Sequence, residues 1–332
     1  MKTKRMSKKR AGRRVLCFAL LATCLALPAT AQQYPAKPVR IMVGFAPGGG
    51  VDTAARIVAS GLADLWGSTV FVENRPGAAG SVATEFTAKA PPDGHTLMLC
   101  QIASHAITPA RVRKLPYDHI ADFAFPSMIG SVTNVFMVHP SVPMKTLGQY
   151  IAYARKHPGK LSFGSSGVGA SPHLSIELLK TMARIDIVHV PYKGAALALS
   201  DVMSGHIESS VGNLSGSLLG AVRAGRVRAL GVTAGKRSKH VPEVPTFAES
   251  GVPGFDVAPW YGICTQAKVP QPILAKLNAD LNRILNDPAV RKRLEDQAVD
   301  VAPSTPEQFV AHVRAETAKW NKVVRDGGLE ER

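Results

Sequence analysis

An apolar run at residues 39–45 passes through Ala46-Pro-Gly-Gly-Gly50 into apolar residues at helical spacing: Ala54, Ala55, Ile57, Val58, Leu62 and Leu65. A buried strand, a glycine turn and an amphipathic helix make up the unit from which parallel sheets are built. A chain that repeats this unit is committed to an α/β fold. Residues 70–72, 96–100, 135–138, 161–163, 187–190, 207–211, 227–232 and 260–264 read as further strands. Residues 78–90, 147–157, 172–182, 195–203 and 218–223 read as the helices between them. Residues 108–125 follow neither period and read as irregular.

The tail is helical. Ile273, Leu274, Leu277, Leu281, Ile284 and Leu285 form one stripe that stops near Pro288. Phe309, Val313, Trp320 and Val324 form another, ended by Gly327-Gly328. Thr246 to Glu249 and Ser304 to Glu307 have the spacing of capping boxes. So many βα units exceed one comfortable sheet, and no Ser/Gly linker divides the chain. The expectation is two α/β lobes, each a mainly parallel sheet flanked by helices. In such folds ligands meet the carboxyl ends of strands, where helix N-termini point.

The 332 residues carry a formal net charge of +16, which at face value suggests nucleic acid. The N-terminus removes that reading. Lys2, Lys4, Arg5, Lys8, Lys9, Arg10, Arg13 and Arg14 precede an apolar run at 15–27, then Ala29-Thr-Ala31. This is the order of a cleavable secretory signal, with cleavage expected after Ala31. The apolar run is short of the ~18–20 residues of a membrane span. Twin-arginine and lipoprotein variants, the latter at Cys24, match less well. Cleavage leaves about +8, spread without a clustered stripe, and nucleic acid is dropped as a partner. Cys100 and Cys264 are the two cysteines of the mature chain. Both sit in strand-like runs and read as buried free thiols, with a disulfide left open.

The loop Phe45 to Asp52 lets backbone N–H groups approach an anion at a helix start. It fails the dinucleotide fingerprint at Thr53, and the chain has no Gly-Lys-Ser/Thr phosphate loop. The segment Phe163 to His173 repeats the logic, and Ser165 and Ser166 add hydroxyls. A nucleophile elbow there fails because residue 168 is Val. His173 reads as a structural histidine and Arg75 as a surface residue of a turn. The ten histidines have no paired metal spacing, so neither a metal nor a cofactor is expected. Tyr192-Lys-Gly194 and Gly212-Asn-Leu-Ser215 stand at further strand ends. Donors without a nucleophile–base pair describe a binding protein for a small anion rather than an enzyme.

Tyr34-Pro-Ala-Lys-Pro-Val-Arg-Ile41, Phe45-Ala-Pro-Gly-Gly-Gly50 with Asp52, Glu73-Asn-Arg-Pro-Gly77 and Pro92-Asp-Gly94 stand in order with a second group. That group is Gly164-Ser-Ser-Gly167 with His173, Pro191-Tyr-Lys-Gly194 and Gly225-Arg-Val-Arg-Ala-Leu230. In this ordered combination the chain resembles the Bug-type receptors, the extracytoplasmic solute-binding proteins of tripartite tricarboxylate transporters. The resemblance implies a periplasmic, two-lobed Venus-flytrap receptor that closes on a carboxylated solute and delivers it to two integral membrane subunits. It implies a clamp in which Phe45, Ala46, Pro47, Gly48, Gly49, Ser165, Ser166, Gly169 and Ser171 hold a carboxylate, largely through backbone N–H groups and water. Asp52 would fix the first loop, and Tyr192 and Asn213 would form walls. The expected division is 1–31 signal, 32–132 with 255–332 as lobe 1, and 133–254 as lobe 2, in a monomer. A sensing subunit for a membrane kinase shares these features, and an exported hydrolase is the weaker alternative. Gly44, Trp66-Gly-Ser68, Gly212 before Asn213 and Ser215 depart from the family pattern. The Asn213 departure, where an acid is common, weakens the case for an amine-bearing solute.

Overall fold

The computed structural model describes residues 34–331, so the expected signal segment lies outside the described residues. Two sheets carry the fold. The first contains β1 (Val39–Val43), β2 (Val70–Asn74), β3 (Thr96–Gln101), β4 (Phe123–Ser131), β10 (Trp260–Gln266) and β11 (Asp300–Val301), in the order β11-β4-β10-β3-β1-β2. The second contains β5 (Asn134–Val138), β6 (Ser162–Ser165), β7 (Val188–Pro191), β8 (Ser209–Asn213) and β9 (Arg228–Val232), in the order β7-β6-β8-β5-β9. Every residue of β3 and β10 is buried. Both are mostly apolar, with polar residues at their ends (Thr96, Gln101, Thr265 and Gln266), because both faces of the sheet are covered.

The helices are α1 (Gly50–Trp66), α2 (Ser81–Ala88), α3 (Thr108–Arg111), α4 (Leu147–Lys156), α5 (Ser171–Ala183), α6 (Ala195–Met203), α7 (Gly216–Arg223), α8 (Gln271–Asn286), α9 (Pro288–Glu295) and α10 (Pro306–Gly327). In α1 five of the six residues that predicted it, Ala54, Ala55, Ile57, Val58 and Leu62, are buried and Leu65 is half-buried, and Gly67 ends the helix in the left-handed conformation. α10 buries Phe309, Val313, Trp320 and Val324, the predicted stripe. Phe309 packs edge-on to Trp260 and Phe125, with ring centroids 5.5 and 5.3 Å away. A Cβ at Gly262 of β10 would lie 2.1 Å from Phe309 Cζ, so only glycine lets that ring reach the sheet.

The α/β class and two-lobed architecture match the expectation, with local corrections. The sheets are mixed rather than mainly parallel. β10 runs antiparallel to β3 and β4, and β5 antiparallel to β8 and β9. These strands are joined by long returns instead of βα crossovers. The stretch read as irregular, 108–125, holds α3 and the start of β4, and a π-turn at Ala103–Ile107 leads into it. Pro288 does not simply stop a helix. It opens α9, with Asp287 accepting from Ala289 and Val290. The capping box of α10 is Thr305 with Gln308, one residue beyond the expected pair, because Pro306 takes the first helical position. Thr246 and Glu249 do make reciprocal bonds of 3.0 and 2.8 Å, but around a turn. Cys100 and Cys264 are buried free thiols on neighbouring strands.

Candidate functional site

The glycine loop after β1 is held from behind. Asn74, the last residue of β2, donates through Nδ2 to Phe45 O at 3.0 Å and to Asp52 Oδ1 at 2.9 Å. Asp52 Oδ2 accepts from Gly48 N at 3.0 Å and from Arg56 Nε at 3.0 Å. Burial of Asp52 would raise its pKa. The hydrogen bonds from Arg56, Gly48 and Asn74 outweigh that and hold it below the usual carboxylate value. Asn74 and Asp52 therefore shape the loop. Arg75 turns away, donating to Glu73 at 2.7 Å with its guanidinium 3.8 Å above the Phe86 ring.

The loop after β6 has an analogous support made of neutral imidazoles. Ser165 Oγ accepts Gly167 N–H at 3.1 Å and lies 2.7 Å from His189 Nε2. His173 Nδ1 accepts Gly169 N–H at 3.1 Å, and the two imidazoles stack with centroids 3.9 Å apart. Burial, and for His173 the neighbouring His189, Arg111 and Lys180 charges, push His173 down to about 3. Burial and Lys180 push His189 down to about 4. A protonated His173 could not accept the Gly169 bond, so the loop's shape requires the neutral ring.

Between the loops lies a narrow cavity lined by Phe45, Ala46, Gly49, Gly50, Val51, Gln101, Ser166, Ala170, Ser171, Pro172, Gly194, Ala195 and Asn213. The lining includes the first residues of α1, α5 and α6. An adjoining space lined by Gly48, Ser210, Gly212, Asn213, Ser215 and Ser217 brings in the start of α7. Helices α4, α7, α9 and α10 start with a side-chain cap from Thr146, Ser215, Asp287 and Thr305. Helices α1, α5 and α6 start at the cavity with none. Their first-turn N–H groups have no acceptor within the helix and carry the positive ends of the helix dipoles. No charged side chain lines this cavity. A wider apolar space continues from it past Phe45, Pro76, Ala78, Ala79, Val168 and Tyr192, with Lys193 on its wall.

The structure brings Phe45, Ala46, Gly48, Gly49, Ser166, Ser171 and Asn213 onto the walls of the cavity and its adjoining space, and Tyr192 onto the wider space. Pro47 is exposed and lines none of these three spaces. Asp52 and Ser165 are buried behind the surface, and the N–H groups of Gly48 and Gly169 are committed to Asp52 and His173. Tyr192 Oη donates to Asp201 at 2.7 Å, and Asn213 Nδ2 donates to Asn134 at 2.8 Å. The sequence reading placed Gly194 at a strand end without naming it as a site residue, and it did not include Gln101 or Ala195. The glycine at 194 after a predicted strand was the available signal for the latter. Among the described residues no cluster of His, Cys, Asp and Glu could hold a metal ion, and no helix is long and apolar enough to cross a membrane.

Residues 54–329 match the tripartite tricarboxylate transporter family receptor. Protein BugT of Bordetella pertussis (strain Tohama I) is 33% identical over 307 residues, covering 92% of this chain and 94% of BugT. Rpa4515 of R. palustris, solved with adipate, superposes with a TM-score of 0.84 at 34% identity, covering 89% of this chain and 98% of that one. MatC of Rhodopseudomonas palustris, solved with bound malate, gives 0.81 at 32% identity, covering 88% and 100%. Family and structural neighbours alike are solute-binding receptors rather than enzymes. The uncapped helix starts, the two supported loops and these likenesses agree: the chain belongs to the tripartite tricarboxylate transporter receptor family and has the fold of a periplasmic binding protein.

Proposed function

We propose that this protein captures a small carboxylated solute in the cleft between its lobes and hands it to integral membrane transporter subunits. The observation that carries this reading is the convergence of uncapped helix N-termini on a cavity whose lining has no charged side chain. Such a site neutralises a carboxylate with fixed peptide dipoles. Adipate in Rpa4515 and malate in MatC support the ligand class. In this proposal Phe45, Ala46, Gly49, Ser166 and Ser171 contact the solute. Asp52, Ser165 and Gly169 support the loops, and Tyr192 and Asn213 are wall residues. Lobe 1 comprises residues 32–132 and 255–332, lobe 2 residues 133–254, and hinge closure traps the solute. Export through a signal cleaved after Ala31 belongs to the same proposal.

The test is thermal unfolding of ligand-free mature protein against mono-, di- and tricarboxylates and aromatic acids. A solute at about 100 times its Kd adds about 2.7 kcal/mol. For lobes of this size that is a shift of roughly 5–11 °C. A shift confined to one class of acid identifies the cargo. No shift with any acid defeats the proposal.

A further inference from the structure

Three polar side-chain atoms next to the cavity have no hydrogen-bond partner among the described residues: Gln101 Nε2, Ser171 Oγ and Tyr261 Oη. Gln101 is 3% exposed, and Ser171 and Tyr261 are each 1% exposed. Buried polar groups in folded proteins are nearly always paired, because an unpaired one forfeits its hydration for nothing. Their positions are related. Tyr261 of β10 is the cross-strand partner of Gln101 of β3, and directly opposed residues in an antiparallel pair present their side chains on the same face. That face looks toward the start of α1. Tyr261 Oη lies 3.6 Å from where a Cβ would stand on Gly50, and both Gly50 and Gln101 line the cavity. Ser171 reaches the cavity from the other lobe, as the first residue of α5.

We propose that Gln101 and Tyr261, with Ser171 opposite, form a side-chain floor to the solute site. They hydrogen-bond the deepest oxygen of the bound acid, directly or through one water. The inference rests on the receptor reading above and adds recognition that the backbone loops do not supply. With its amide placed as it is, Gln101 offers a donor, and the hydroxyls of Tyr261 and Ser171 can donate as well, a set that suits an acid oxygen. Burial keeps the Tyr261 phenol protonated by pushing its pKa up, so it remains able to donate.

The experiment uses ligand-free mature protein as wild type, Gln101→Met, Gln101→Glu and Tyr261→Phe, with acetate, malate and adipate as probes. Without a probe, Tyr261→Phe and Gln101→Met are expected to melt within about 2 °C of wild type or above it, since no native bond is lost. A fall beyond about 5 °C would show the groups to be structural and overturn the inference, leaving the receptor reading intact. With the probes that shift wild type, Gln101→Met and Tyr261→Phe should each lose about tenfold in affinity. Gln101→Glu sets a carboxylate against a carboxylate and should lose about a hundredfold or more. Unchanged affinity in all three variants overturns the inference alone. If neither these probes nor the wider acid panel shifts wild type, the receptor reading and this inference fall together.

Discussion

Asp52 Oδ2 accepts the backbone N–H of Gly48 at 3.0 Å while its other oxygen accepts from Asn74 at 2.9 Å, so one buried carboxylate ties the glycine loop to the end of β2. Asp52→Ala removes the acceptor of the Gly48 N–H and one of the two acceptors of the Asn74 amide. We expect a loss of about 1–3 kcal/mol of stability and a clear loss of solute affinity, because the loop is no longer held in shape. Urea unfolding and a solute titration measure the two effects. A variant that keeps full affinity would show that the loop needs no support.

The imidazoles behind the second loop make stability depend on pH. His173 and His189 titrate at about 3 and about 4 in the fold, against 6.5 when unfolded. Between those values the unfolded chain binds protons that the folded chain refuses. Their contribution is complete above pH 6.5 and lost as pH falls through the window toward 4. The expected slope is about 1.4 kcal/mol per pH unit for each histidine held neutral. Urea midpoints between pH 4.5 and 7.5 give the slope directly. His189→Phe, which can preserve the ring stack, should flatten it, and a profile equally steep in that variant would assign the effect elsewhere.

Gln297 Oε1 accepts the N–H of Gly216, the first residue of α7, at 3.1 Å. The glutamine follows α9 beside the first sheet, while α7 packs on the second, so this bond bridges the lobes. Gln297→Ala should leave the unliganded melting temperature within about 2 °C. Where closure depends on this contact, losing it should speed solute release by roughly fivefold to tenfold, since one hydrogen bond is worth about 1 kcal/mol. Stopped-flow release rates decide, and an unchanged rate would mean that the contact does not report closure.

Gly44 is a glycine for a local reason. A Cβ there would lie 2.5 Å from Gly80 Cα, so two backbones touch where the first loop leaves β1. Gly44→Ala should cost about 1–3 kcal/mol by forcing them apart. Thermal unfolding tests this, and a neutral substitution would show that the 78–80 turn yields freely.

The first loop, its aspartate and most helix starts were legible because each is local. A strand, a glycine turn and a 3.6-residue period lie within some twenty residues of one another. β4 was not legible. Pro126 and Gly130 interrupt its apolar pattern, and the strand exists because β10 and β11 pair with it on either side. Its register with β10 shifts between Ile263 and Thr265, so the proline, which has no N–H to give, falls at the irregularity. Gln101 was missed for a related reason. The predicted strand ended at Cys100, and the residue that gives Gln101 its meaning, Tyr261, lies 160 positions away. Only the pairing of β3 with β10 puts them side by side. The capping pair of α10 was misplaced by one residue because Ser304 and Thr305 are chemically interchangeable caps, and only Pro306 sets the register.

The uncapped helix starts have an evolutionary consequence. A grip made of peptide groups cannot be deleted by changing a side chain, since every residue but proline carries the same N–H. In the receptor proposed above, substitutions on the apolar wall of the wider space can then redirect what is carried while the hold on a carboxylate survives each step. A lineage built on this cleft can change cargo without passing through a receptor that binds nothing.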